Sequence, residues 1–160
     1  MIGKQTSDKV QFLISKYFIM KTPAIDTQLE YELQELYILS KHWSSDISFV
    51  EDELRILKDI LNKYLIKMGN LQVKEAKNFE KILGQQDAAI LDIKSKISKF
   101  LTFMEPLVTG TKMEIGVNLI EKFTGLQTQI TSLSEYVKVL KKSLFSFTEE
   151  VMRADGTMFL

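Results

Sequence analysis

The sequence predicts an all-α protein, an elongated antiparallel up-down-up three-helix bundle with a heptad core and an N-terminal segment packed at one end. Three observations predict it. Apolar residues recur at alternating steps of four and three along three long segments, which is the a/d spacing of helices that share a seam. The few strong breakers, Pro23, Gly69-Asn70 and Pro106 with Thr109-Gly110-Thr111, fall between those segments. Short connections make consecutive helices run antiparallel. The 160 residues form one domain, with an N-terminal segment over 1–25 and helices over 26–68, 72–105 and 112–153.

In the first helix the seam runs through Leu29, Leu33, Leu36, Ser40, Trp43, Ile47, Val50, Leu54, Leu57, Leu61, Tyr64 and Met68, with Ser40 the clear polar exception. Asp26 stands before it as an N-cap, Glu30, Glu32 and Glu35 crowd its positive end, and Lys63 and Lys67 its negative end. The second seam is Ala76, Phe79, Leu83, Gln86, Ile90, Ile93, Ile97, Phe100 and Met104, with Glu75 early and Lys94, Lys96 and Lys99 late. The third, Leu119, Phe123, Leu126, Ile130, Leu133, Val137, Leu140, Leu144, Phe147 and Val151, is wholly apolar. Glu149 and Glu150 oppose the helix dipole near its end, and fraying is expected there. At 1.5 Å per residue the helices would be ~50–65 Å long.

Composition removes most chemistry. With no cysteine, the chain has no disulfide, no thiol nucleophile and no Cys-liganded metal; with one histidine, it has no two-histidine site. Lys plus Arg and Asp plus Glu are 21 each, so bulk charge does not drive nucleic-acid binding. The apolar run Val10–Met20 follows Asp8, is broken by Gln11, Ser15 and Lys16, and is too short to span a bilayer. The expectation is a soluble, cytoplasmic protein without membrane insertion.

Each reactive-looking group has a simpler reading. A di-iron bundle needs a glutamate three residues before an inward histidine, and Leu39 stands there relative to His42. Glu51, Asp52 and Glu53 are consecutive and spread around a helix, so a solvated face with pairs such as Asp59–Lys63 explains them better than a cation site. His42, Ser45 and Asp46 lie along one helix surface without an oxyanion hole. No Gly-rich phosphate loop occurs. Lys138, Lys141 and Lys142, with Lys94, Lys96 and Lys99, are the candidate surface for phosphates, but acids interleave them. Trp43 and several phenylalanines hold seam positions, as ordinary core does. No catalytic residue, cofactor or metal is expected.

Two regions exceed what a seam needs. Phe100-Leu101-Thr102-Phe103-Met104 is apolar nearly all round. Its natural cover is the N-terminal segment with Val10, Phe12, Leu13, Ile14, Tyr17, Phe18 and Ile19, or else a partner chain. Phe123 to Ser134 carries no charge, and its outward residues include Thr124, Gln127, Thr128 and Thr131; an uncharged face tolerates close approach of another surface.

Trp43-Ser44-Ser45-Asp46-Ile47-Ser48-Phe49, then Asp52-Glu53-Leu54-Arg55, followed on the second helix by Phe79, Gln86, Ile90, Lys94 and Ile97, resembles a group of small uncharacterised helical-bundle proteins of Bacteroidetes-type bacteria. The resemblance covers about 40–97 and implies a helical hairpin or bundle, with no activity attached. Taken together, the sequence points to a non-enzymatic bundle acting through a protein partner or as a homodimer. The candidate surface is Phe18, Phe100, Phe103, Thr124, Gln127, Thr128 and Thr131. The alternative is a small-molecule or lipid-binding bundle whose apolar end pocket lies around Phe12, Phe18, Phe100 and Phe103.

Overall fold

The computed structural model describes Asp8, residues 23–110 and residues 116–156; the N-terminal segment, with the cover expected from Val10, Phe12 and Phe18, lies outside the described residues. The described chain is a three-helix bundle: α1 (Pro23–Leu65), α2 (Asn70–Val108) and α3 (Val117–Asp155) pack against one another. Two compact units divide it. The first comprises Met1–Asp46 and Ile93–Ile130, the second Ile47–Asp92 and Thr131–Leu160, so each helix contributes a stretch to both.

The helix boundaries differ from the sequence expectation, the third helix starting at Val117 rather than 112, and several of the differences have a local cause. The first helix starts at Pro23, which fits an initial helical position because its missing N–H would have no intrahelical partner there. Asp26 therefore falls inside the first turn rather than ahead of it. The turn after α1 relies on a side chain, not on left-handed glycine backbone. Gly69 acts as N-cap of α2, its carbonyl accepts from Val73 N–H at 3.0 Å, and its own N–H donates to Gln72 Oε1 at 3.0 Å. This is the glutamine half of a capping box.

The second helix runs through Pro106 to Val108. An interior proline forfeits a backbone hydrogen bond. Here it lies in the last turn, and burial of Met104 and Leu107 on either side contributes ~1.5–3 kcal/mol each. Gly110, at φ 76°, then turns the chain out of the helix. The third helix, expected to reach 153 and to fray near Glu149 and Glu150, is helical through both. It continues to Asp155 and ends on Gly156, at φ 73°, whose N–H donates to the Arg153 carbonyl at 3.1 Å. A glycine C-cap and Arg153 in the final turn outweigh the unfavourable placement of the two glutamates.

In the first unit, Leu29, Leu33, Leu36 and Trp43 of α1 are buried together with Ile93, Ile97, Phe100, Met104 and Leu107 of α2 and Leu119, Phe123, Leu126 and Ile130 of α3. In the second, the buried set is Ile47, Val50, Leu54, Leu57 and Leu61, then Ala76, Phe79, Leu83 and Ile90, then Leu133, Val137, Leu140, Leu144, Phe147 and Val151. Ser40 is fully buried and donates its hydroxyl to the Leu36 carbonyl at 2.7 Å, so the polar exception is satisfied within its own helix. Gln86 and Tyr64 are half-buried, and Met68 lies past the end of α1.

Candidate functional site

The first unit is organised around three rings, one from each helix. Trp43 of α1 lies 4.9 Å from Phe123 of α3 and 5.5 Å from Phe100 of α2, centroid to centroid, and Phe100 and Phe123 are 6.1 Å apart. All three are tilted, the geometry in which aromatic quadrupoles attract. Burying the indole also buries its N–H, which donates to Gln127 Oε1 at 2.7 Å. An indole N–H taken out of water without an acceptor would cost ~1–3 kcal/mol. Gln127, expected to face outward, is half-buried and instead fixes the rotation of Trp43.

The remaining sequence candidates separate. Phe100 is a core residue, 3% exposed, and lines only the floor of the groove described below. Phe103 is half-buried, 6.4 Å from Phe100, with the Lys122 ammonium 4.3 Å from its ring centroid. Its exposed face is thus occupied by a cation from α3. Thr124 and Thr128 are exposed in the first unit; Thr131 is exposed and belongs to the second. Phe18 lies outside the described residues.

Beside the aromatic triangle the first unit carries an open groove of about 310 Å³ between α2 and α3. Phe100 and Leu126 form its floor, and Gly125 leaves its α3 wall without a side chain. Lys96, Lys99 and Lys122 line it along with Glu121 and Gln129. Lys96 Nζ donates to Gln129 Oε1 across it at 3.3 Å. Lys96 and Lys99 belong to the lysine set that the sequence offers as a candidate surface for phosphates; Lys122, which lines the groove with them, does not.

The second unit holds a different feature. Phe49 and Ile56 of α1 are 65% and 54% exposed, and seven residues apart they share a face. Glu53, between them on that face, accepts a hydrogen bond from Lys141 Nζ of α3 at 3.0 Å. Phe145, one turn beyond Lys141, is 40% exposed. Each of these three large apolar side chains therefore lies one helical turn along its own helix from a member of one interhelical ion pair. They lie off the seam, and the sequence signal for them is two apolar residues at i and i+7 outside it.

Lys138 faces Glu135 at 2.9 Å and Lys141 faces Glu53, so two of the six lysines named for a phosphate surface already face carboxylates. Asp52 pairs with Arg55 at 2.9 Å. His42, Ser45 and Asp46 are all exposed. Among the described residues no three His, Asp or Glu side chains converge to hold a metal ion, and no helix is long and apolar enough to cross a membrane. The chain matches no family model, no curated protein and no solved structure.

Proposed function

We propose that this protein is a non-enzymatic helical bundle that acts by association, with a second copy of itself or with another protein, through the apolar face of its second unit. The observation that carries this reading is the exposure of Phe49, Ile56 and Phe145, each one helical turn from a member of the Glu53–Lys141 pair. Exposed aromatic and aliphatic anchors are what an interface centre is made of, and the two charges beside them already neutralise each other. Within this reading the helices alternate in direction and meet along a heptad seam. Two facts support that. Partners on α1 and α3 keep a near-constant offset, 84 residues for Trp43–Gln127 and 88 for Glu53–Lys141. Partners on α2 recede as α1 advances, from Phe100 opposite Trp43 to Asp87 opposite Lys58. The likeness of residues 40–97 to small bacterial helical-bundle proteins, and a cytoplasmic location, belong to the same proposal.

The test is light scattering over a concentration series, with dye binding on the same samples. The wild-type chain should grow in mass with concentration and bind a hydrophobic dye. The double variant Phe49→Glu, Ile56→Glu should remain monomeric, bind less dye and keep its helical circular dichroism. A wild type that stays monomeric removes self-association, and equal dye binding by both chains defeats the reading altogether. A second reading, a bundle that binds small molecules or lipids, has the groove over Phe100 and Leu126 in its favour.

A further inference from the structure

We infer that the groove of the first unit is a binding site for a single-chain anionic amphiphile, a fatty carboxylate. The inference deepens the ligand-binding reading and is independent of the association face. It starts from the groove's two-part chemistry. The floor, Phe100 and Leu126, is apolar and continuous with the aromatic core beneath it. The lysines are Lys96 and Lys99 on one helix and Lys122 on the other, against one carboxylate, Glu121, so the lining has an excess of two positive charges. A ligand that fills it must bring an apolar body and at least one negative charge, because either part alone leaves the other unmatched.

Size narrows the class. About 310 Å³ lies at the lower edge of small-molecule sites, room for one alkyl chain rather than two. The Lys122 ammonium over Phe103 and the Lys96–Gln129 hydrogen bond mark two places where cationic heads already reach from one helix to the other. A carboxylate arriving there meets donors held in place, with long apolar stems lying along the walls. Gly125 keeps the space open: a Cβ built on it meets nothing within 4 Å. The smaller groove in the second unit, about 200 Å³ between Lys58, Leu61, Asn62, Glu80 and Gly84, provides an internal contrast. Its one lysine is matched by one glutamate, and it offers no net charge to an anion.

The experiment titrates the full chain with decanoate, decanol and decyltrimethylammonium below their micelle concentrations. The readout is the fluorescence of Trp43, the lone tryptophan, whose ring packs on Phe100. Decanoate should bind saturably and more tightly than the other two. Lys99→Gln with Lys122→Gln should weaken it by about tenfold. Gly125→Leu, which fills the groove while improving helix propensity, should abolish binding without loss of helix. Equal binding of decanol or decyltrimethylammonium, lost in Gly125→Leu, would overturn the anion inference and leave the ligand-binding reading standing. No saturable binding by any of the three, or undiminished decanoate binding by Gly125→Leu, would overturn both.

Discussion

The two units use the same three helices and hold them together differently. The first is built on rings: Trp43, Phe100 and Phe123 interlock, and one indole–amide hydrogen bond orients them. The second is mostly aliphatic, with Phe79 and Phe147 as its buried ring pair at 5.3 Å. It ties its elements with ion pairs: Lys58 with Asp87, Lys67 with Asp155 at 3.7 Å, and Lys141 with Glu53. Surface differs as core does. Among the described residues, Tyr31, Ile38 and Val117 are the well-exposed large apolar side chains of the first unit, while the second has Phe49, Ile56, Ile66, Leu71, Leu91, Tyr136, Val139 and Phe145. One seam pattern can thus be completed by shape in one place and by charge in another, and what remains outside it decides which surface is available for binding.

The largest expected effect comes from breaking the ring cluster. Trp43→Ala should cost ~3–5 kcal/mol in denaturant unfolding, as large aromatic truncations in cores do. Hydrogen exchange should show the loss of protection concentrated in the first unit; equal loss in residues 47–92 would mean that the two units open as one and would break the comparison. A smaller effect isolates the hydrogen bond. Gln127→Leu should cost ~1–3 kcal/mol, because the indole N–H loses its acceptor. Adding Trp43→Phe should make the loss in the pair less than the sum of the two single losses, since no donor is then left unpaired. Strict additivity would show that Gln127 acts through packing alone. The smallest effect belongs to the second unit. Lys141→Ala should cost no more than ~1 kcal/mol, since its pair with Glu53 is partly exposed and the charges are screened. Molar salt should shrink that difference further; a cost of several kcal/mol would place the stability of the second unit in its charges instead of its aliphatic core.

Periodicity alone made the core legible. The steps of four and three picked out residues that are buried nearly throughout, because a helix can present one stripe to its neighbours and apolar side chains must leave water. The breakers were legible too, although not their mechanism. The turn at Gly69 is completed by Gln72, and Pro106 is tolerated inside α2, because a cap or a buried neighbour a few residues away changes what one residue costs.

The candidate site was less legible, for a physical reason visible at particular residues. Phe100 and Phe103 are three apart in an apolar run, yet one is core and the other lies half-buried under Lys122. Gln127 reads as an outward polar residue until Trp43 is found to need an acceptor there. Lys122 joins Lys96 and Lys99 only because α3 packs beside α2. The sequence by itself determined that three amphipathic helices form and which stripe of each is buried, since both follow from local period and transfer out of water. Tertiary structure alone decided which polar group answers a buried donor, which cations share a groove and which apolar side chains stay exposed, since each depends on what a different helix brings within a few ångströms.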